Sequence, residues 1–172
     1  MSREHTDWRA IVQRIARRLE DEDFPAAHRA QLRRLDPELP DGAAFWFLVN
    51  RYAEAALDDE RAARALAVTV HGMATAHPFH FADRVRLGTA MAVAEISEAR
   101  LLRLLRTGRE QLPEEVRRLA RLLGSRGDAG RFDWHDVFLL ALHPDDDWPR
   151  RDIAKDYYRR QYQLKNPKGE AA

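Results

Sequence analysis

Arg100, Arg103 and Arg106 recur at three-residue spacing, and Arg117, Arg118 and Arg121 follow shortly after them. At the roughly 100° per residue of an α-helix, each triplet falls in one sector. The opposite sectors are apolar: Leu101, Leu102, Leu104 and Leu105 in the first helix, Val116, Leu119, Ala120, Leu122 and Leu123 in the second. A packed pair of such helices turns its leucines inward and sets the guanidinium groups side by side. The chemistry on offer is recognition of phosphate or carboxylate oxygens by planar forks that stay charged. Arginine is also this chain's default cation, since the only lysines are Lys155, Lys165 and Lys168. A solvated face and a polyanion-binding face are therefore both open readings of these clusters.

Two other clusters bear on chemistry. His71, His77 and His80 lie close in sequence but lack the HExxH spacing of helical zinc enzymes and a fixed fourth ligand. They read as hydrogen-bonding residues of a polar loop, adding to the basic surface when protonated. Asp145, Asp146 and Asp147 precede Trp148 and Pro149, where carboxylates serve as helix caps and complement the helix dipole. The chain offers no nucleophile elbow, no glycine-rich phosphate cradle and no paired carboxylates for acid–base work. The expectation is a non-enzyme with no catalytic residues, no metal site and no cofactor.

The elements that must carry these residues read as helices throughout, so the fold is expected to be all-α. Trp8, Ile11, Val12, Ile15 and Leu19 recur at helical spacing, and Glu20 to Pro25 ends that helix and opens the next. Phe45, Trp46, Leu48, Val49 and Tyr52 form a bulky stripe expected in the core. Asp58 and Asp59 offer caps for a helix through Leu66 and Val70. The stretch from Gly72 to Asp83, interrupted by Pro78, is expected to be a loop and the internal boundary. Helices should follow over 85–94, over both arginine-faced segments, from Trp134 to Leu142 and from Pro149 onward, with a frayed end after Lys165. The layout is a helical bundle with an N-terminal lobe over 1–80 and a C-terminal lobe over 81–172. Trp8, Trp46 and Trp134 occupy apolar positions and are assigned to the core, while Tyr157, Tyr158 and Tyr162 are left open.

Composition fits this picture. A chain of 172 residues, 45% hydrophobic and 33% charged, suits a globular helical protein and buries one core or two small leaning lobes. With no cysteine there is neither a disulfide framework nor a thiolate metal site, which fits a reducing cytoplasm. The N-terminus lacks the apolar run of a signal peptide, and nothing approaches the roughly 20 apolar residues of a membrane span. The net charge of +1 is unevenly placed: residues 1–96 hold 13 cations and 15 carboxylates, residues 97–168 hold 16 and 12. A local basic patch is implied rather than a uniformly basic protein.

The ordered series RAQLRRL at 29–35, AFWFLV at 44–49, LGTAMA at 87–92, SEARLLRLLR at 97–106, VRRLARLL at 116–123 and FDW at 132–134 resembles the CasB family. These are the small subunits of the type I-E CRISPR surveillance complex, Cascade. The resemblance spans about residues 8–164. It implies an all-helical, non-enzymatic subunit present in two copies, in contact with the large subunit and the backbone subunits. It also implies contact with the guide RNA and the target DNA, above all the displaced non-target strand. Matching basic positions one by one, it implies nucleic-acid contacts at Arg33, Arg34, Arg61, Arg100, Arg106, Arg109, Arg118 and Arg150. Where relatives often read LGR, this chain has Leu87, Gly88 and Thr89, so Arg84 or Arg86 would have to supply that contact. The reading from another class is a helical adaptor whose arginines meet acidic proteins without nucleic acid.

Overall fold

The structure is a computed structural model that describes residues 6–167; the first five positions and the end beyond Pro167, where fraying is expected, lie outside the described residues. It contains α1 (Trp8–Glu20), α2 (Ala26–Arg33), α3 (Ala43–Tyr52), α4 (Glu60–Ala76) and α5 (Leu87–Val93). These are followed by α6 (Glu98–Arg106), α7 (Leu112–Gly124), α8 (His135–Leu142) and α9 (Asp147–Lys165). Among the described residues the only β pairing is an isolated bridge between Phe81 and Phe132. The fold is all-α.

α4 is the axis of the molecule. From Ala62 to Ala76 nearly every side chain is buried, and most are alanine, valine or glycine. A helix apolar all round has to be enclosed, and small side chains let neighbours approach on every side. α1, α2, α7 and α8 supply that enclosure. The closest approach is at Gly72, where an added Cβ would stand 2.5 Å from the buried Trp134 ring. Asp59 caps the helix by accepting from the Ala62 amide at 3.0 Å, as its sequence position implies. The helix continues through Gly72 to Ala76, so the irregular segment begins at His77; alanines on both sides of Gly72 sustain the helix. The core runs on across residue 80, because α4 packs on α7 and α8 as well as on α2.

A second close crossing joins α5 to α9, again through a glycine: a Cβ on Gly88 would lie 2.1 Å from the Ile153 carbonyl oxygen and 2.7 Å from the Tyr157 nitrogen. Asp136 of α8 locks this corner by accepting from the Leu87 amide at 2.8 Å and the Arg86 Nε at 3.1 Å. The Tyr157 hydroxyl donates to the Ile96 carbonyl at 2.6 Å. Tyr157 is thus core, while Tyr158 and Tyr162 are exposed.

Three core assignments need correction. Trp134 is buried, but Trp8 and Trp46 are only half-buried against the core, as is Tyr52. The indole N–H of Trp46 donates to the Pro40 carbonyl at 2.7 Å, which places the ring at the molecular edge. Phe47, on the outer side of the same helix, is 60% exposed. At the start of α9, Asp146 caps without a side-chain hydrogen bond to the helix; its carboxylate instead meets His143 Nδ1 at 3.2 Å.

The histidines also differ from the sequence reading. His71 belongs to α4 and, like His80, is buried; Nδ1 of His71 hydrogen-bonds the Leu32 carbonyl at 3.0 Å and Nε2 of His80 the Ala16 carbonyl at 2.9 Å. Burial drives His80 down to about 4, and burial with the nearby Arg29 does the same to His77. Neither adds to the basic surface near neutral pH. Because both fall below the ordinary histidine value, the unfolded chain binds protons first as pH drops. Stability is expected to be full above about pH 6.5 and to fall progressively towards pH 4. A pH series of urea midpoints checks this. His80→Gln, which keeps an N–H for Ala16, should flatten the slope, and an unchanged slope would remove His80 from the account.

Candidate nucleic-acid interface

Three depressions gather arginines of α2, α4, α6 and α7; two of them share Pro37 and Glu38, and the remaining one is their neighbour along α7, where Glu114 of one meets Arg118 of the other. In the first, Arg100 and Arg103 of α6 face Arg118 of α7 across Leu104, Leu119 and Leu122. The leucines bring the helices together and leave the arginines at the rim, as their sectors imply. Glu115 sits between them with its side chain 13% exposed; it lies 2.9 Å from Arg118 Nη1 and 3.8 Å from Arg103 Nε. Glu114 pairs with Arg117 and reaches Arg118 Nε at 3.1 Å. Hydrogen bonding from Arg117 holds the Glu114 carboxyl below its usual range.

The second depression, about 360 Å³, joins Arg33 and Arg34 at the end of α2 to Arg117 and Glu114. The third, about 470 Å³, joins Arg61 and Arg64 of α4 to Arg109 and Trp46. Glu38 borders both, paired with Arg64. Arg64 also donates to the Arg109 carbonyl at 3.1 Å, and Arg61 to the Leu142 carbonyl at 3.0 Å. Together the three linings hold nine arginines and six carboxylates, a positive surface with acids built into it.

Six of the expected residues come together here: Arg33, Arg34, Arg61, Arg100, Arg109 and Arg118. Arg106 is exposed at the last position of α6, outside these linings. Arg84 is exposed in the α4–α5 connection with φ of 60°, also outside them. Arg86 is not available as its substitute, because Asp136 and Asp156 hold it at 3.0 and 3.4 Å. Three arginines lining the depressions are absent from the family-matched set. Arg103 and Arg117 were already visible in the helical sectors, and Arg64 is signalled by its place one turn after Arg61.

Arg150 has a different occupation. Its Nε donates to the Leu105 carbonyl at 3.0 Å, Nη2 to Thr107 at 3.1 Å and Nη1 to Asp146 at 2.9 Å. A cation on the unsatisfied carbonyls of a helix C-terminus matches the dipole there. The fork ties the end of α6 to the start of α9. Arg150→Lys, which keeps charge but loses the fork, is expected to lower the melting temperature by several degrees, nearly as much as Arg150→Ala. Amide exchange over 103–109 should quicken in both. Full recovery of stability in the lysine variant would show that charge alone matters.

The fold and these depressions define an all-helical protein with an arginine-lined outer surface and, among the described residues, no cluster of three metal-ligating side chains. A family profile described as CRISPR-associated protein Cse2 matches residues 28–158. The chain belongs to the Cse2 family, the CasB family of the sequence resemblance. No curated protein sequence matches it. Among solved structures it is similar to a chain of the crystal structure of Escherichia coli Cascade bound to a PAM-containing double-stranded DNA target. The TM-score is 0.69 at 23% identity, covering 88% of this chain and 96% of that one. No described helix is long and apolar enough to cross a membrane.

Proposed function

We propose that this chain is the non-catalytic small subunit of a type I-E Cascade complex in the cytoplasm. Its arginine depressions bind the backbones of the guide RNA and of the displaced target strand. The observation that carries this reading is the clustering of nine guanidinium groups in three neighbouring depressions, seven of them on α2, α4, α6 and α7 and two, Arg34 and Arg109, in the connections beside them. Guanidinium forks suit phosphate oxygens, and in an RNA-guided complex base pairing reads sequence, so the protein needs shape and charge. Glu114 and Glu115 temper the attraction by competing for Arg118. Binding by the isolated chain is accordingly weak and salt-dependent, with two copies and the large and backbone subunits assembling the full path.

The test is assembly of the complex with and without this chain on a matched target, followed by permanganate footprinting of the displaced strand. Removal is expected to shorten R-loop lifetime and expose thymines. If neither changes while assembly still requires the chain, the acidic-protein adaptor becomes the better reading.

A further inference from the structure

A groove of about 320 Å³ lies between the end of α1, α2 and α3 and shares no lining residue with the arginine depressions. Its floor is the buried ring of Phe24, and its outer wall is Phe47, 60% exposed. His28 bridges them, 6.1 Å from Phe24 and 5.9 Å from Phe47 between ring centroids. Leu48 and Pro25 complete an apolar lining. Single exposed apolar side chains are ordinary on a folded protein. Phe47 differs in standing beside a concave aromatic wall.

The rim supplies charge of one kind. Arg51 lies 5.9 Å from the centroid of the Tyr52 ring and makes no hydrogen bond or ion pair with any described residue. Arg18 also lines the groove, and no carboxylate does, although Asp21 and Asp23 hold Arg18 from outside at 3.2 and 2.6 Å. The apolar floor asks for an apolar side chain, and the unpaired guanidinium asks for an anion next to it.

We propose that this groove docks a segment of a partner protein that inserts an aliphatic or aromatic side chain between Phe24 and Phe47 and sets a carboxylate on Arg51. A phosphate backbone is a poorer occupant, because its row of charges would meet one unpaired cation here, Arg51, Arg18 being held by Asp21 and Asp23. The floor mixes Pro25 and Leu48 with rings, which suits an inserted aliphatic group better than stacked bases. The inference rests on the chain working inside an assembly, and it stands apart from whether the arginine depressions meet nucleic acid.

The experiment places p-benzoylphenylalanine at Phe47 in the full chain and irradiates the reconstituted complex. The cross-link is expected on one other protein subunit, in a stretch with an apolar residue and an Asp or Glu within a turn of it. Phe47→Ala and Arg51→Glu, both exposed positions, should fold normally by melting temperature yet weaken retention of the chain about tenfold each. A lysine at the cross-linked carboxylate should restore Arg51→Glu. A cross-link to nucleic acid, to a second copy of this chain or to a stretch without a carboxylate overturns the proposal, as does full retention of both variants. Failure of the chain to enter the complex at all would instead strike the assembly reading.

Discussion

Gly88→Ala is expected to destabilise the fold by about 3 kcal/mol or more and to lower the melting temperature by roughly 10 °C. Helix propensity alone argues the reverse, since alanine in a helix interior is favoured over glycine by about 1 kcal/mol. The sign is set by α9: the new Cβ would stand 2.1 Å from the Ile153 oxygen and 2.7 Å from the Tyr157 nitrogen. These are backbone atoms, so no side-chain rotation relieves the contact. The helices would have to separate, and the corner is tied by Asp136 to Leu87 and by Tyr157 to Ile96. Gly108→Ala is the control, because its Cβ meets only the flexible Gln111 amide at 3.4 Å. It should fall within about 0.5 kcal/mol of the parent. Equal melting temperatures for the two variants would mean that the α5–α9 crossing yields more easily than its geometry implies.

The second large effect is functional. Replacing Arg100, Arg103 and Arg118 by alanine removes one whole rim while leaving Leu104, Leu119 and Leu122 in place. All three are exposed, so the helical fold should persist. If each meets one phosphate of a single strand, the salt slope falls by about 2 and affinity near 0.1 M salt by about 100-fold. In the assembled complex the same variant should shorten R-loop lifetime on a matched target. Glu115→Gln should move the opposite way by about twofold, since it frees Arg118 from its 2.9 Å partner. Fluorescence anisotropy across a salt series reads both. An unchanged slope in the triple variant would remove this rim from the nucleic-acid path.

Most of the helices and the outward fan of arginines were legible, because a 3.6-residue period records which side of a helix faces water. Period does not record how far a neighbour extends over that side. Trp46 and Trp134 occupy similar apolar positions, yet only Trp134 lies beneath another helix, against Gly72 of α4. Glu114 and Glu115, four and three residues ahead of Arg118, are readable as its helix partners from spacing alone, though the arginine sectors by themselves do not show them. Arg150 matched a basic position by order, but its carbonyl partners Leu105 and Thr107 lie more than forty residues away. Helix propensity alone marks Gly88 as a weak point within a helix. Its meaning depends on Ile153 and Tyr157, which no local pattern brings to it.

The α5–α9 crossing also bears on how the chain is made. α5 ends at Val93, and its partner begins at Asp147. At about 5–20 residues per second, a ribosome needs several seconds to add the intervening stretch and α9 itself. Through that interval Leu87, Ala90 and Met91 lack the main helix that α5 packs against in the folded chain. Until α9 emerges, the nascent chain therefore carries an uncovered apolar corner at α5, which its last helix alone completes.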